Sequence, residues 1–304
     1  MTDWQLKTPV ALIIFNRPET TARVFNAIRQ ARPPTLLIIA DGPRQKWPGD
    51  SELCRQTREV VAKVDWPCEL LFNFAEENMG CMRRVSSGLN WVFDIVEEAI
   101  VLEDDCLPHP TFFRFCQELL ERYRHDQRIA QISGVNFQIS QRFPSYSYYF
   151  SRYNHVWGWA SWRRAWQSND NEMTLWPEFR DCNWLYSFLG ARKEAAYWEK
   201  LLTMVYEGEI DSWACRWTLS CWKENMLTIL PSKNLVSNIG FGPDATHTNV
   251  ESEFSNLPSH EMVFPLQHPT IILPDKKADA YTASRMFRER GVIARLVHLI
   301  PGCK

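Results

Sequence analysis

Ala99-Ile100-Val101-Leu102-Glu103-Asp104-Asp105 carries four apolar residues straight into three carboxylates. A short apolar run rich in β-branched residues reads as a buried strand of a parallel or mixed sheet. Alternation along a strand would point Glu103 and Asp105 to one side and Asp104 to the other. In open α/β sheets, ligands bind beyond the carboxyl ends of the strands. Three adjacent acids there repel one another, and stay ionised together only when a cation or hydrogen-bond donors offset the charge. Mg²⁺ or Mn²⁺ suits such oxygen ligands, and usually completes its shell with water and phosphate oxygens. The plainer alternative is a solvated turn in which Asp105 caps a following helix. Against it, Cys106-Leu107-Pro108-His109-Pro110 delays any helix until about Thr111.

Outward from this stretch, strands and helices alternate. Val10-Ala11-Leu12-Ile13-Ile14-Phe15 reads as a first buried strand, and Asn16-Arg17-Pro18-Glu19 opens a helix with proline in its first turn and an acid at its positive end. Pro33-Pro34 ends that helix, and Leu36-Leu37-Ile38-Ile39-Ala40 is a second strand stopped by Asp41-Gly42-Pro43. A helix near 52–63, a strand over 69–73 and a helix over 81–97 follow, the last entered through Asn78-Met79-Gly80. The acid-tipped strand is fourth. This order predicts a doubly wound parallel sheet with right-handed crossovers. No GxxxxGK[ST] and no GxGxxG after the first strand is present, which argues against a P-loop or a dinucleotide site.

The second half is less regular. Helices are expected over 112–124, 184–189, 192–206 and 212–225, and strands over 129–134, 146–150 and 227–230. The segment 238–248, with Gly240 and Gly242, reads as a functional loop. Residues 280–300 read as a basic amphipathic helix through Arg285, Arg288, Arg290 and Arg295, either a solvated face or a contact for an anionic membrane. The 304 residues are 45% hydrophobic and 23% charged, ordinary for a globular chain with a real core. A net charge of −2 gives no basic footprint for nucleic acid. No apolar run is long enough to span a membrane, and the N-terminus lacks a signal-peptide layout. Nine scattered cysteines without a CxxC pair suit buried thiols in a reducing compartment. Most of the 14 tryptophans are expected in the core.

The strand-Asn16-Arg17-Pro18 opening, the strand-Asp41-Gly42 turn and the Glu103-Asp104-Asp105 triplet stand in an order and spacing that resemble a GT-A nucleotide-sugar transferase. The chain is similar to bacterial family-2-like glycosyltransferases. More distantly it resembles the Golgi N-acetylglucosaminyltransferases that begin complex N-glycans and carry the same acidic triplet. The likeness runs from about residue 8 to about residue 250. It implies an α/β fold, a GT-A type doubly wound mixed sheet with a Rossmann-like N-terminal half and an acceptor-side C-terminal half. The implied division is 1–135 for the nucleotide sugar, 136–265 for the acceptor and base within the same domain, and 266–304 for a tail.

The resemblance also implies roles. Asp105 would be the metal ligand, with His247 as a further metal or phosphate contact. Glu103 and Asp104 would touch sugar and ribose, Asp41 the base or ribose, and Arg17 the nucleotide, with Arg83 and Arg84 reaching the diphosphate. Asp211, in Glu209-Ile210-Asp211-Ser212-Trp213, would be the catalytic base, and Trp157, Trp159 and Trp213 would stack on sugar rings. Each residue keeps a plainer reading. Asp41 is a good turn residue, Arg17, Arg83 and Arg84 suit a solvated face, His247 is a lone loop histidine, and Asp211 is a good N-cap for a helix from Ser212.

The expected function is metal-dependent (Mn²⁺ or Mg²⁺), inverting transfer of a sugar from a nucleoside diphosphate, UDP by analogy with the relatives. The expected acceptor is a hydroxyl of a glycan or lipid-linked glycan in polysaccharide biosynthesis. The expected setting is the cytoplasm, at the inner face of a membrane through the basic tail. The alternatives are a sugar-1-phosphate nucleotidyltransferase and a non-catalytic carbohydrate-binding protein on the same fold.

Overall fold

The structure, a computed structural model, describes residues 4–138, 146–241, 254 and 256–287. The N-terminal half runs β1 (Val10–Ile14), α1 (Pro18–Ala31), β2 (Thr35–Ala40), α2 (Asp50–Val61), β3 (Glu69–Phe74), α3 (Cys81–Ile95) and β4 (Glu98–Glu103). β5 (Cys106–Pro108), α4 (Thr111–Tyr123), β6 (Ile129–Ser133), β7 (Tyr148–Ser151) and β8 (Trp159–Trp162) follow. Next come α5 (Arg163–Trp166), α6 (Trp176–Asp181), α7 (Trp184–Leu189), α8 (Arg192–Tyr206), α9 (Trp213–Lys223), β9 (Leu227–Pro231), β10 (Val236–Asn238) and α10 (Lys276–Met286).

One mixed sheet of eight strands, in the order β3-β2-β1-β4-β8-β6-β9-β7, spans both halves. β3, β2, β1 and β4 are mutually parallel, and every residue of β1 is buried, as strands covered on both faces require. The chain steps from β1 through β2 to β3, then crosses back to place β4 on the other side of β1. Right-handed crossovers put α3 on the face opposite α1 and α2, so the sheet is doubly wound. α1 and α2 pack on each other, and α3 packs on α5 and α9. The winding reverses between β1 and β4, and at such a reversal open α/β sheets bind ligands beyond the carboxyl ends of the strands.

β8 enters the sheet antiparallel between β4 and β6, with Val101 opposite Trp159 and Ile132 opposite Ala160. The Trp157–Trp162 run, whose Trp157 and Trp159 are expected to stack on sugar rings, is therefore in part a central strand. β5 and β10 form a separate antiparallel ribbon, in which Asn238 pairs with Cys106. The main core gathers the sheet, α1, α3, α4 and part of α9, and a second core gathers α7, α8, Trp222 of α9 and Phe287 after α10. All eight cysteines among the described residues are free. No helix among the described residues is long and apolar enough to cross a membrane. Of the expected tail helix, residues 280–286 with Arg285 lie in α10, which is docked by Asp279: it accepts from Ser151 Oγ at 2.6 Å and faces Arg152. Arg288, Arg290 and Arg295 lie outside the described residues.

Candidate active site at the crevice between β1 and β4

Glu103 is the last residue of β4, opposite Ile13 of β1, and Asp104-Asp105 is a tight turn before β5. The turn ends the strand alternation. Asp104 and Asp105 both face Arg17, which follows β1, rather than opposite sides of the sheet. Arg17 Nη1 donates to Asp105 Oδ2 at 2.9 Å and lies 3.8 Å from Asp104 Oδ1. The Phe15 amide donates to Asp104 Oδ2 at 3.1 Å. All three acids are buried.

One guanidinium thus faces three carboxylates, too little charge to satisfy them all. Burial, with Asp105 adding repulsion, pushes Asp104 up to about 6, although Arg17 and the Phe15 amide pull the other way. Burial and then the Asp105 and Asp104 charges push Glu103 well above the carboxylate range. Its Oε1 is buried without a hydrogen-bond partner. Burial opposes the charge on Arg17, but the pull of Asp104 and Asp105 outweighs it and holds the guanidinium more firmly protonated.

The segment after β10 covers this cluster. Ile239 donates its amide to the Asp105 carbonyl at 2.8 Å, and a Cβ on Gly240 would stand 2.4 Å from Asp105 Oδ2. Only glycine lets the backbone approach the carboxylate so closely. Sequence reading placed Gly240 in a functional loop but could not see what it touches. His247, further along the same loop, lies outside the described residues.

Asp41, ending β2, is buried and engaged. It accepts from the Gly42 and Met79 amides at 2.8 and 2.9 Å and from Asn78 Nδ2 at 2.9 Å. Burial raises its pKa, while the Met79 and Gly42 amides oppose the shift. Its immediate work is to fix the 78–80 turn that enters α3. Asn78 was visible only as a turn residue, yet it ties that turn to β2. A second unforeseen network secures the end of β1. Asn16 Nδ2 donates to Asp50 Oδ1 at 2.7 Å, and Arg44 Nε donates to Asp50 Oδ2 at 2.6 Å.

Three expectations need correction. Asp211 does not cap the helix that follows it, because Ser212 does so, accepting from the Cys215 amide. Asp211 instead caps α3 from across the fold, accepting from the Cys81 and Met82 amides at 2.9 and 3.2 Å. Gly80 makes room for it, with φ +79° and a would-be Cβ only 3.1 Å from Asp211 Oδ2. Arg84 does not reach toward a diphosphate. It is buried, and donates to the Ala40 carbonyl, the Asn73 carbonyl and Asn73 Oδ1 at 3.1, 2.6 and 2.6 Å. That fork binds together the ends of β2 and β3. Neighbouring Arg83 is exposed. Trp159 and Trp213 do not present faces to a cleft, for they stack on each other in the core at 5.8 Å and are 0% and 1% exposed. Trp157 is also buried, with an edge contact to Phe241 at 5.8 Å.

Among the described residues no three His, Cys, Asp or Glu side chains converge to enclose a metal ion. Asp104 and Asp105 still offer the one or two carboxylates that a hard cation takes when phosphates complete its shell. The unpartnered Glu103 Oε1 adds unspent acceptor capacity beside them. The donor set therefore fits a divalent cation that arrives with a phosphorylated ligand.

No protein-family model matches the sequence, and no curated protein sequence matches it. Among solved structures, the mannosyltransferase PcManGT from Pyrobaculum calidifontis, in complex with GDP-Man and Mn²⁺, matches at 14% identity with TM-score 0.35 over 53% of this chain and 46% of that one. Residues 1–349 of S. aureus TarS match at 12% identity with TM-score 0.38 over 54% and 49%. A UDP-glucose pyrophosphorylase complexed with UDP-glucose matches at 12% identity with TM-score 0.24 over 48% and 62%. The chain thus spans less than two thirds of each solved chain it is similar to.

Proposed function

We propose that this chain is a metal-dependent, inverting glycosyltransferase that moves a sugar from a nucleoside diphosphate, UDP in the first instance, to a hydroxyl of a glycan or lipid-linked glycan. One observation carries the reading. Asp104 and Asp105 meet Arg17, with buried Glu103 next to them in the chain, at the strand ends where the sheet reverses its winding. A divalent cation held by Asp105, with Asp104 beside it, would offset the charge that builds on a departing diphosphate. Arg17, beside these carboxylates, would bring its positive charge to a phosphate oxygen. Asp41 and the 78–79 turn lie at the end of β2, where base or ribose would rest.

Asp211 would take the proton from the acceptor hydroxyl as that oxygen attacks the anomeric carbon from the face opposite the diphosphate. Its two amide hydrogen bonds leave each oxygen a free lone pair for that proton. Residues 1–135 then serve the donor and 136–265 the acceptor. The work is assigned to the cytoplasm, with the tail toward the membrane face.

The test is a thermal-shift series with UDP, GDP, CMP and dTDP, each with and without Mn²⁺. One nucleotide should stabilise the protein in a Mn²⁺-dependent way, and Asp105→Ala should remove that dependence. Stabilisation unchanged in Asp105→Ala takes the residue out of the site. Asp211→Asn should lower turnover about 100-fold or more with nucleotide affinity intact, in line with the usual worth of a general base. Release of pyrophosphate in place of nucleoside diphosphate would favour a nucleotidyltransferase instead.

A further inference from the structure

α10 lies on β7, the last strand of the sheet order. Ala278 packs with Tyr149 of β7 and Leu230 of β9, Gln138 Nε2 donates to Thr282 Oγ1 at 2.8 Å, and Asp279 is held by Ser151 and Arg152. Those contacts orient the helix. Ala278, Asp279, Thr282 and Ala283 are buried, and Lys276, Lys277, Ala280 and Arg285 are exposed. Asp275 and Asp279 are the acids between Met262 and Phe287, and both are engaged. Asp279 is buried against Arg152, and Asp275 accepts from the Lys277 and Ala278 amides at 3.0 Å. The outward face of α10 is therefore cationic, in a chain of net charge −2. Arg288, Arg290 and Arg295 follow in the sequence.

The stretch that leads into α10 is also fixed. Pro274 bridges to Phe150, and Asp275 donates its amide to the Phe150 carbonyl at 2.8 Å. Ile272 packs against the main core. Ile271 and Leu273, on either side of it, are each 66% exposed. A single exposed apolar residue is ordinary. Two of them, anchored a few residues ahead of a cationic helix face, combine what a lipid surface binds. Apolar side chains enter the boundary between headgroups and acyl chains, and cations meet anionic headgroups. A nucleic acid would use the cations and leave Ile271 and Leu273 in water.

We propose that Ile271 and Leu273, with Lys276, Lys277 and Arg285 of α10, form a docking surface for a membrane bearing anionic phospholipid. The inference rests on the membrane-face placement proposed above and moves the contact from the tail to this surface. Lysine and arginine reach headgroup phosphates on long aliphatic stems, which lie along the same boundary that the two apolar side chains enter.

The test is co-sedimentation of the full chain with vesicles of phosphatidylcholine alone, and of phosphatidylcholine and phosphatidylglycerol mixed about two to one. The chain should pellet with the anionic vesicles and not with the neutral ones, and added salt should release it. Lys276→Gln with Lys277→Gln should weaken binding about 30-fold, the scale of two cations at a charged surface. Ile271→Ser with Leu273→Ser should weaken it about tenfold or more. Both double variants should melt with the wild type, since all four side chains are exposed. Anionic-vesicle binding that both variants retain overturns this surface, and its loss in Arg288→Gln with Arg290→Gln and Arg295→Gln would return the contact to the tail. No pelleting with either vesicle overturns the surface and the membrane-face placement together. Retention on an oligonucleotide that depends on the two lysines but not on Ile271 and Leu273, without vesicle binding, makes the face a polyanion site and overturns the proposal. A dimer in sedimentation that Ile271→Ser with Leu273→Ser dissolves, again without vesicle binding, shows that a second copy covers the pair and overturns it too. Nucleotide stabilisation is read separately: its absence throughout sinks the transferase reading and leaves the lipid surface standing.

Discussion

Asp105 lies under a glycine, and that contact tests the site residue by residue. A Cβ at position 240 would come within 2.4 Å of Asp105 Oδ2 and 3.0 Å of Arg17 Nη1. Gly240→Ala should push the carboxylate from its place and weaken Mn²⁺-dependent nucleotide binding about tenfold, read by calorimetry, with far-ultraviolet dichroism unchanged. Arg84 makes the opposite case, a cation that looked like a ligand group and is a strut. Arg84→Met would take the guanidinium from the Ala40 carbonyl, which keeps the Ala75 amide, and from the Asn73 carbonyl and Oδ1, at a cost of about 2–4 kcal/mol in urea unfolding. Lost nucleotide affinity at full stability would instead restore Arg84 to the diphosphate.

At the scale of elements, α3 is held at its N-terminus by a carboxylate 130 positions distant in sequence. A cap of this kind is worth about 1 kcal/mol, and the acid also complements the positive end of the helix dipole. Asp211→Ala should therefore speed amide exchange at Cys81 and Met82 by roughly fivefold, while exchange in the middle of α3 stays as it was. Unchanged exchange at those two amides would break the link between α3 and the segment that precedes α9. The link has a functional side: the same residue that would take the acceptor proton fixes the helix entering beside Asp41.

At the scale of the molecule, α9 contributes Trp213 and Trp217 to the main core and Leu219 and Trp222 to the second. A helix shared by two cores couples them, so near- and far-ultraviolet dichroism should report one coincident urea transition. Separate midpoints would show that α7 and α8 unfold on their own. Acid stability is also a property of the whole chain. Burial pushes His155 down to about 3, while an unfolded histidine titrates near 6.5. Between those values only the unfolded chain binds the proton, so this group's contribution to stability falls as the pH drops. From pH 7 to pH 5 the wild type should lose about 2 kcal/mol more than His155→Gln. The comparison with the variant removes Asp104 and Glu103, whose raised values act in the opposite direction.

The N-terminal strands and helices were legible because each is a local pattern: an apolar run, a proline in a first turn, an Asp-Gly stop. The acid triplet and its place at a strand end were legible for the same reason. Tertiary structure alone decided that β8 enters mid-sheet between β4 and β6, that Asp104 and Asp105 share Arg17, that Arg84 braces two strands, and that Asp211 caps α3 rather than α9. Those outcomes depend on which distant segments meet. A tryptophan, an arginine or an aspartate has the same local propensity whether it faces a ligand or completes a core, so only the pairing of remote elements separates the two.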